Sequence, residues 1–540
     1  MNPSFHIIDF VIVGIYAILL VGVGLWVSRT KKGHTKTAED YFLASKALPW
    51  WAIGSSLIAA NISAEQFIGM SGSGFAGGLA IASYEFMAAL TLIIVGKFFL
   101  PIFIKQGIYT IPEFVEKRFS TNLKTILAVF WIALFVFVNL TSVLFLGGKA
   151  IDTIVGVGDG SMIVPAIIAL AIFAAAYSLY GGLSAVAWTD VIQVALLVIG
   201  GIITTLIALH YVTPDGGILN GISHIADAAS DKFDMVLSRD NKEFNNLPGI
   251  YVLIGGLWVA NLYYWGFNQY IIQRTLAAKS LTEAQRGIAF AAFLKMLIPF
   301  IPGIVAWVMY SEDLYGARSA FEIAGSTALN NDNAYPWLIS TFIPVGVKGL
   351  VLAALAAAIV SSLASMLNST STIFTMDIYK PYINREASQT KLVNVGRLTA
   401  GIALIIAVCL APLLGGIDQM FQYIQEYTGL VSPGILAVFL MGLFWKKATN
   451  KGAIWGVLCS IPIALIFKLL PLEMPFMDQM FYATLLTIVV IFMVSLSSNP
   501  ADDDPKAIKL TADMFKTDKV FNICAYIICI LLVVIYTAFF

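Results

Sequence analysis

Residues Trp50 to Met70 read W-W-A-I-G-S-S-L-I-A-A-N-I-S-A-E-Q-F-I-G-M. The run is long enough to cross a bilayer, which takes about 20 apolar helical residues. Its middle nevertheless holds Asn61, Ser63, Glu65 and Gln66. A carboxylate and two amides at that depth are costly unless they face a partner or a wet cavity. Asn61 and Glu65 are four apart, so a continuous helix would put them on one face. The cluster also competes with the backbone for hydrogen bonds, which favours a local break. Broken spans that offer freed backbone and side-chain oxygens to an ion or a solute are a device of membrane carriers. The plainer alternative is a polar cluster that only packs helices.

Working outward, the bulk numbers agree with a membrane setting. The 540 residues are 59% hydrophobic and 12% charged, with a mean hydropathy of +0.85. Soluble domains carry about a quarter charged residues. The 32 Lys and Arg balance the 32 Asp and Glu, which argues against nucleic acid as a partner. Cys409, Cys459, Cys524 and Cys529 sit in apolar runs without metal-ligand spacing and read as small core residues. The first apolar run, near 7–27, has no Lys or Arg before it and no small-residue cleavage site after it. It reads as a retained span and not a signal peptide.

A window of about 20 residues finds apolar segments near 7–27, 50–70, 79–104, 125–150, 161–178, 184–211, 249–272, 287–310, 344–378, 393–411, 420–445, 452–470, 476–497 and 520–539. That pattern predicts an all-α integral membrane protein with 14 transmembrane helices. Basic residues set the orientation. Alternate loops hold Arg29, Lys31, Lys32, Lys36 and Lys46, then Lys105, Lys117, Arg118 and Lys124, then Arg274, Lys279 and Arg286. The same alternation continues through Lys380, Arg385, Lys391 and Arg397 to Lys446, Lys447 and Lys451, and finally Lys506, Lys509, Lys516 and Lys519. The opposite loops at 151–160, 412–417 and 471–475 carry neither Lys nor Arg. Both termini are therefore expected outside. The outer loop at 212–248 is polar enough for a short helix or cap.

The seventh segment echoes the second. Its G-G-L-W-V-A-N-L-Y-Y-W-G-F-N-Q-Y places Ala260-Asn261 where the second has Ala60-Asn61, again with polar and aromatic residues mid-span. Units of five spans run in opposite senses, so this spacing predicts a five-plus-five inverted repeat with a site where two broken helices meet. The organisation expected is 1–49 as an extra helix and inner loop, 50–211 as the first repeat, 212–248 as an outer loop, 249–445 as the second repeat, and 446–540 as three further helices.

Longer stretches carry a resemblance. A-A-N-I-S-A-E-Q-F-I-G-M-S-G-S-G (59–74), I-A-S-Y-E (81–85), I-Y-T-I-P-E-F-V-E-K-R-F (108–119) and Y-S-L-Y-G-G-L-S-A-V-A-W-T-D-V-I-Q (177–193) are among them. W-V-A-N-L-Y-Y-W-G-F-N-Q-Y-I-I-Q-R (258–274), A-A-A-I-V-S-S-L-A-S-M-L-N-S (356–369) and F-Q-Y-I-Q-E-Y-T-G-L-V-S-P (421–433) complete the set. Together they resemble the sodium/solute symporter family, most closely its bacterial sodium/galactose (SGLT-type) branch. The resemblance implies a LeuT-like core, sodium as the co-transported ion, and a multi-pass protein of the bacterial inner membrane with periplasmic termini. It also implies that a monomer suffices for transport, whether or not two associate in the lipid.

On the ninth segment Ser361, Ser365, Asn368 and Thr372 form a polar stripe at helical spacing. Small residues around them let another backbone approach. On pattern alone a serine pair there reads as interhelical hydrogen bonding. The resemblance instead implies sodium ligands at the carbonyls of Ala59, Ile62 and Ala358 and the hydroxyls of Ser361 and Ser362, with Asp190 behind them. Members coupling two sodium ions carry a serine where this chain has Ala364, so one sodium per cycle is expected.

A sugar offers hydroxyls that donate and accept, so its site needs amides, carboxylates and an amine beside an aromatic face. Lys295 in A-A-F-L-K-M-L-I-P is the sharpest candidate, since a lysine in an apolar run is paired or wet. A purely structural pairing of Lys295 with Glu85 is the alternative. The resemblance implies hexose contacts at Gln66, Glu85, Asn261, Lys295 and Gln425. It also implies an inner aromatic gate at Tyr264 tied to Asn61, and an outer closure at Met70, Tyr84 and Phe421. The galactose symporters carry a serine where this chain has Ala88, so the preferred hexose is open.

The function expected is sodium-coupled symport of a neutral hexose by alternating access. Sialic acid, proline or myo-inositol as the solute is the alternative, with a channel behind them. An enzyme is disfavoured: His6, His34, His210 and His224 lie in loops or at span ends, which leaves no candidates for buried metal or haem ligation.

Overall fold

The computed structural model describes residues 5–29, 37–156, 159–213, 215–297, 301–322, 330–417, 419–470, 474–498 and 504–540. Every regular element among them is helical, and the one other pairing is an isolated bridge between Leu48 and Ala278. Lipid offers no hydrogen bonds to a bare backbone, so a chain this apolar closes its amides and carbonyls within helices. Ten stretches among the described residues are long and apolar enough to cross a membrane. Each of the fourteen apolar segments overlaps helix, but some are interrupted. The 287–310 segment divides into Leu281–Lys295 and Ile301–Ser311. Glu65–Gln106 runs for 42 residues, and at about 1.5 Å per residue that is twice the thickness of a hydrocarbon core. Helix Ser71–Gly77 ends within it at Gly78, whose φ is +77°.

The centre of the molecule is Val347–Ile383. Its apolar window is 94% buried, against 17% for Ile7–Val27 and Lys519–Ala538, which lie at the periphery. The small residues of its A-A-L-A-A-A-I-V-S-S-L-A-S run admit neighbours closely, and Leu183–Tyr211 and Trp50–Asn61 pack against Val347–Ile373. Helix Trp50–Asn61 also packs on Leu281–Lys295. A Cβ on Gly54 would meet the Phe290 ring at 2.6 Å and the Gly287 carbonyl at 2.7 Å. Only glycine permits that approach, and it carries Lys295 to the end of the helix that Asn61 closes. The 212–248 loop contains helix Ile218–Ala228, and its Lys232 ammonium donates to the Ala76 carbonyl at 2.6 Å.

Candidate functional site

The second span breaks where its polar residues lie. Helix Trp50–Asn61 stops at Ile62, which takes an extended conformation (φ −77°, ψ 99°). A wide π-helical run, Glu65–Met70, follows and then helix Ser71–Gly77. Side chains replace the lost backbone bonds. The Ser63 amide donates to Gln66 Oε1 at 3.0 Å, and Ser63 Oγ accepts from the Glu65 amide at 3.0 Å. The last carbonyls of a helix have no intrahelical donor. Here Ser362 Oγ donates to the Ala60 carbonyl at 3.0 Å and lies 3.5 Å from that of Ala59.

Asp190 stands directly behind this point. It accepts from Ser361 Oγ and from Ser56 Oγ, each at 2.5 Å, and it is fully buried. Its counter-charge is Arg274, 3.6 Å away. The Arg274 guanidinium also donates to the Ser56 carbonyl (3.0 Å), the Tyr270 carbonyl and Ser365 Oγ. The charge pattern puts Arg274 in an inner loop; the structure instead buries it within helix Gln269–Leu276. Helix Gln269–Leu276 continues beyond the break in the seventh span and carries the arginine between the second and ninth spans, where Asp190 makes its burial tolerable.

The seventh span runs through helix Gly256–Leu262 and a π-helical run Tyr263–Phe267, then breaks at Asn268 (φ −81°, ψ 124°). The two breaks meet through side chains. Asn61 Nδ2 donates to Tyr264 Oη at 3.0 Å, and Tyr270 Oη donates to the same oxygen at 2.7 Å. Lys295, fully buried, donates to Asn61 Oδ1 and to Glu85 Oε2. Its ammonium lies 5.3 Å from the centre of the Trp265 ring, a cation–π distance.

These groups line one cavity, to which both broken spans contribute. Asn61, Gln66, Glu85, Asn261, Lys295 and Gln425 all face it, as does Ala88. Asn261 is partly engaged already, donating to the Leu257 carbonyl at 3.1 Å and accepting from Trp265 Nε1 at 3.2 Å. Tyr84 meets Phe421 edge to face at 4.9 Å, and Met70, Tyr84 and Phe421 are buried. Tyr264 packs edge-on against Trp265 and Tyr270.

The structure thus brings the residues picked for solute contact to one cavity. It brings Ala59, Ser361, Ser362 and Asp190 to the broken end beside that cavity, and it places Ile62 at the break itself. Ala358 is buried on the same ninth helix. Further groups line the cavity, Trp265, Thr428 and Ser432 among them. Trp265 lies four residues after Asn261, and Thr428 and Ser432 follow Gln425 at helical spacing, so spacing alone could have found them. Glu65 was noted as costly but given no task.

Two interrupted helices that meet around a cavity bearing amides, carboxylates and an ammonium define the broken-helix class of secondary carriers. A family model for the sodium:solute symporter family matches residues 41–460. A sodium/glucose cotransporter of Vibrio parahaemolyticus is 65% identical over 538 residues, 98% of each chain. The sodium/glucose cotransporter 4 of Mus musculus is 31% identical, covering 94% of this chain and 78% of its own. The sodium/myo-inositol cotransporter 2 of Bos taurus is 33% identical, covering 85% and 69%. Among solved structures, a substrate-bound, outward-open Na+-coupled sialic acid symporter superposes with a TM-score of 0.79 at 25% identity, over 92% of this chain and all of its own. A nucleobase-cation-symport-1 family transporter shares the fold at a TM-score of 0.52 and 13% identity, over 86% and 96%. The chain belongs to the sodium:solute symporter family.

Proposed function

We propose that the chain couples sodium entry to uptake of a neutral hexose. Sodium binds at the carbonyls of Ala59, Ile62 and Ala358 and the hydroxyls of Ser361 and Ser362. A hydroxyl that ligates a cation turns its lone pairs inward and needs an acceptor for its proton. Asp190 serves Ser361 and the Ala60 carbonyl serves Ser362. The hexose is held by Gln66, Glu85, Asn261, Lys295 and Gln425, with Asn61 keeping Lys295 in place. Met70, Tyr84 and Phe421 close the outer side, and Tyr264 gates the inner.

The frame for this is fourteen spans, ten of them a five-plus-five inverted core formed by 50–211 and 249–445, with 1–49 before it and 446–540 after. The chain lies in a bacterial inner membrane with both termini on the periplasmic side and works as a monomer. Rocking of one repeat against the other alternates access. Sodium and sugar tighten each other's binding by one coupling energy. A charge crossing 100 mV supplies about 2.3 kcal/mol, and a tenfold sodium gradient adds roughly 1.4 kcal/mol. Sugar accumulation on the order of several hundredfold follows from that sum.

The observation that supports this best is Lys295, a buried ammonium shared between Asn61 at the helix break and Glu85 on the cavity wall. A neutral polyol suits that paired charge better than a free anion or an amino acid. The test is uptake into proteoliposomes of labelled glucose, galactose, myo-inositol, proline and sialic acid, under a sodium or a proton gradient. Saturable sodium-driven hexose uptake with a sodium Hill coefficient near one is expected. Uptake of proline or sialic acid alone, or a coefficient near two, would overturn the assignment of solute or of stoichiometry respectively.

A further inference from the structure

Glu65 is the buried carboxylate for which the site has no partner. Only 8% of the residue is exposed, and its Oε1 is wholly buried without a hydrogen bond. Among the described residues neither an ion pair nor a side-chain hydrogen bond reaches it. The side chain lines the same cavity as Lys295 and Glu85.

The cavity's charge follows directly. Its wall carries two carboxylates, Glu65 and Glu85, and one ammonium, Lys295. Lys295 is committed to Glu85, so the pair is neutral, and Glu65 gives the space a formal charge of −1 only when its carboxyl is ionised, a state that a cation beside it favours. A carboxylate accepts hydrogen bonds and donates none. An occupant must therefore supply donors to Glu65, and the strongest donor for a desolvated carboxylate is a cation.

We propose that Glu65 makes this cavity a site for protonated amino sugars as well as neutral hexoses, with the sugar ammonium on the Glu65 carboxylate, and that it excludes sugar acids. This rests on the hexose reading above and extends it to a charged substrate class. Binding needs no bond to form or break; an ammonium replaces whatever solvent satisfies Glu65 in the open state. Sugar acids bring a second anion against an unpaired one, which a low-dielectric wall penalises.

The experiment measures competition against sodium-driven glucose uptake in proteoliposomes, with 2-, 3- and 6-aminodeoxyglucose each set beside its deoxy counterpart, and with glucuronate. The assay pH lies about two units below the amine range of roughly 7.7–8.0, so that the amines are charged. At least one amino sugar is expected to compete tenfold or more tightly than its deoxy partner, a gap of about 1.4 kcal/mol, while glucuronate does not compete. Glu65→Gln should abolish that ratio and Glu65→Asp should retain a preference for the amino sugar. Equal competition by amino and deoxy sugars in the wild type, alongside saturable glucose uptake, overturns the inference and leaves the hexose reading standing. A carboxyl that holds its own proton gives that result. If no hexose is taken up on a sodium gradient, the parent reading fails and this one with it. Should Glu65→Gln fail to reconstitute, the wild-type ratio and Glu65→Asp still decide.

Discussion

Replacing Lys295 by methionine tests the centre of the site. The side chain is fully buried, and its ammonium satisfies both Asn61 Oδ1 and Glu85 Oε2. Methionine keeps the length and apolar stem but removes every donor. Breaking a buried ion pair from one side typically costs about 3–5 kcal/mol, because the remaining charge is stranded. The Asn61 oxygen adds roughly 1–3 kcal/mol if it stays dry. Glu85 and Asn61 both border the cavity, and water entering there returns part of that loss. The net expectation is the lower end, about 3 kcal/mol, or somewhat over a hundredfold in the folded-to-unfolded ratio.

A partner substitution separates charge from contact. Glu85→Gln in the same chain removes the stranded anion, so Lys295→Met/Glu85→Gln should regain more than half of the lost stability, with a coupling energy of about 0.5–3 kcal/mol. Uptake should fail in both, because the ammonium that holds the solute is absent from each. The assay is the thermal unfolding midpoint in detergent, read beside sodium-driven glucose uptake at matched protein amounts. A Lys295→Met protein with an unchanged midpoint and substantial uptake would refute the reasoning, since the lysine would then be neither buried in a pair nor in contact with solute.

Other parts of the scheme give further expectations. A methyl group on Gly69 would lie 2.9 Å from Phe421 Cβ and 3.1 Å from its backbone nitrogen; Gly69→Ala should therefore hinder outer closure, lowering turnover and raising labelling of a cysteine at Gln425 from outside, and unchanged turnover would count against Phe421 as the outer cover. Arg274→Lys keeps the charge but loses the planar fork that reaches Ser56, Tyr270 and Ser365 together. The half-saturating sodium concentration should rise by about tenfold, the equivalent of one lost charged hydrogen bond, with the glucose KM at saturating sodium little changed; a shift confined to glucose would move Arg274 out of the cation side. Ala88→Ser adds a hydroxyl to the cavity wall, worth about 0.5–1.5 kcal/mol. Competition with unlabelled hexoses should show a changed order of preference, and an identical order would remove this position from the solute's surroundings.

Much of this arrangement was legible because polar residues inside apolar runs have few uses. Asn61, Ser63, Glu65 and Gln66 marked the break because they compete with the backbone for hydrogen bonds, and Lys295 announced a partner. The stripe of Ser361 and Ser365 showed which face of the ninth helix meets another backbone. Arg274 was misplaced for a physical reason: it ends an apolar stretch, and a cation there ordinarily snorkels to the interface. Its burial depends on Asp190, 84 residues earlier in the chain, and no local pattern encodes that pairing. The π-helical runs at Glu65–Met70 and Tyr263–Phe267 were equally hidden. Wide turns of this kind are settled by what the neighbours need and not by local propensity.

The same geometry explains why two unlike cargoes would be coupled. Asn61 is the last residue of its helix. The carbonyls just before it, on Ala59 and Ala60, meet the Ser362 hydroxyl, while its side chain receives Lys295 and reaches Tyr264. The proposed cation ligands and solute ligands on this span therefore belong to one helical turn. On the proposed reading, a sodium ion that draws those carbonyls toward the ninth helix also sets the angle of the Asn61 amide, and through it the position of the ammonium and of the tyrosine gate. Coupling needs no relay across the protein when both ends of the relay lie within about one 5.4 Å turn. Loss of sodium frees the same turn, and with it Tyr264. A carrier built this way should release its solute inward only after its ion, which single-turnover efflux with sodium clamped inside the vesicles would measure directly: sustained rapid sugar release under that clamp would separate the two sites that the helix end joins.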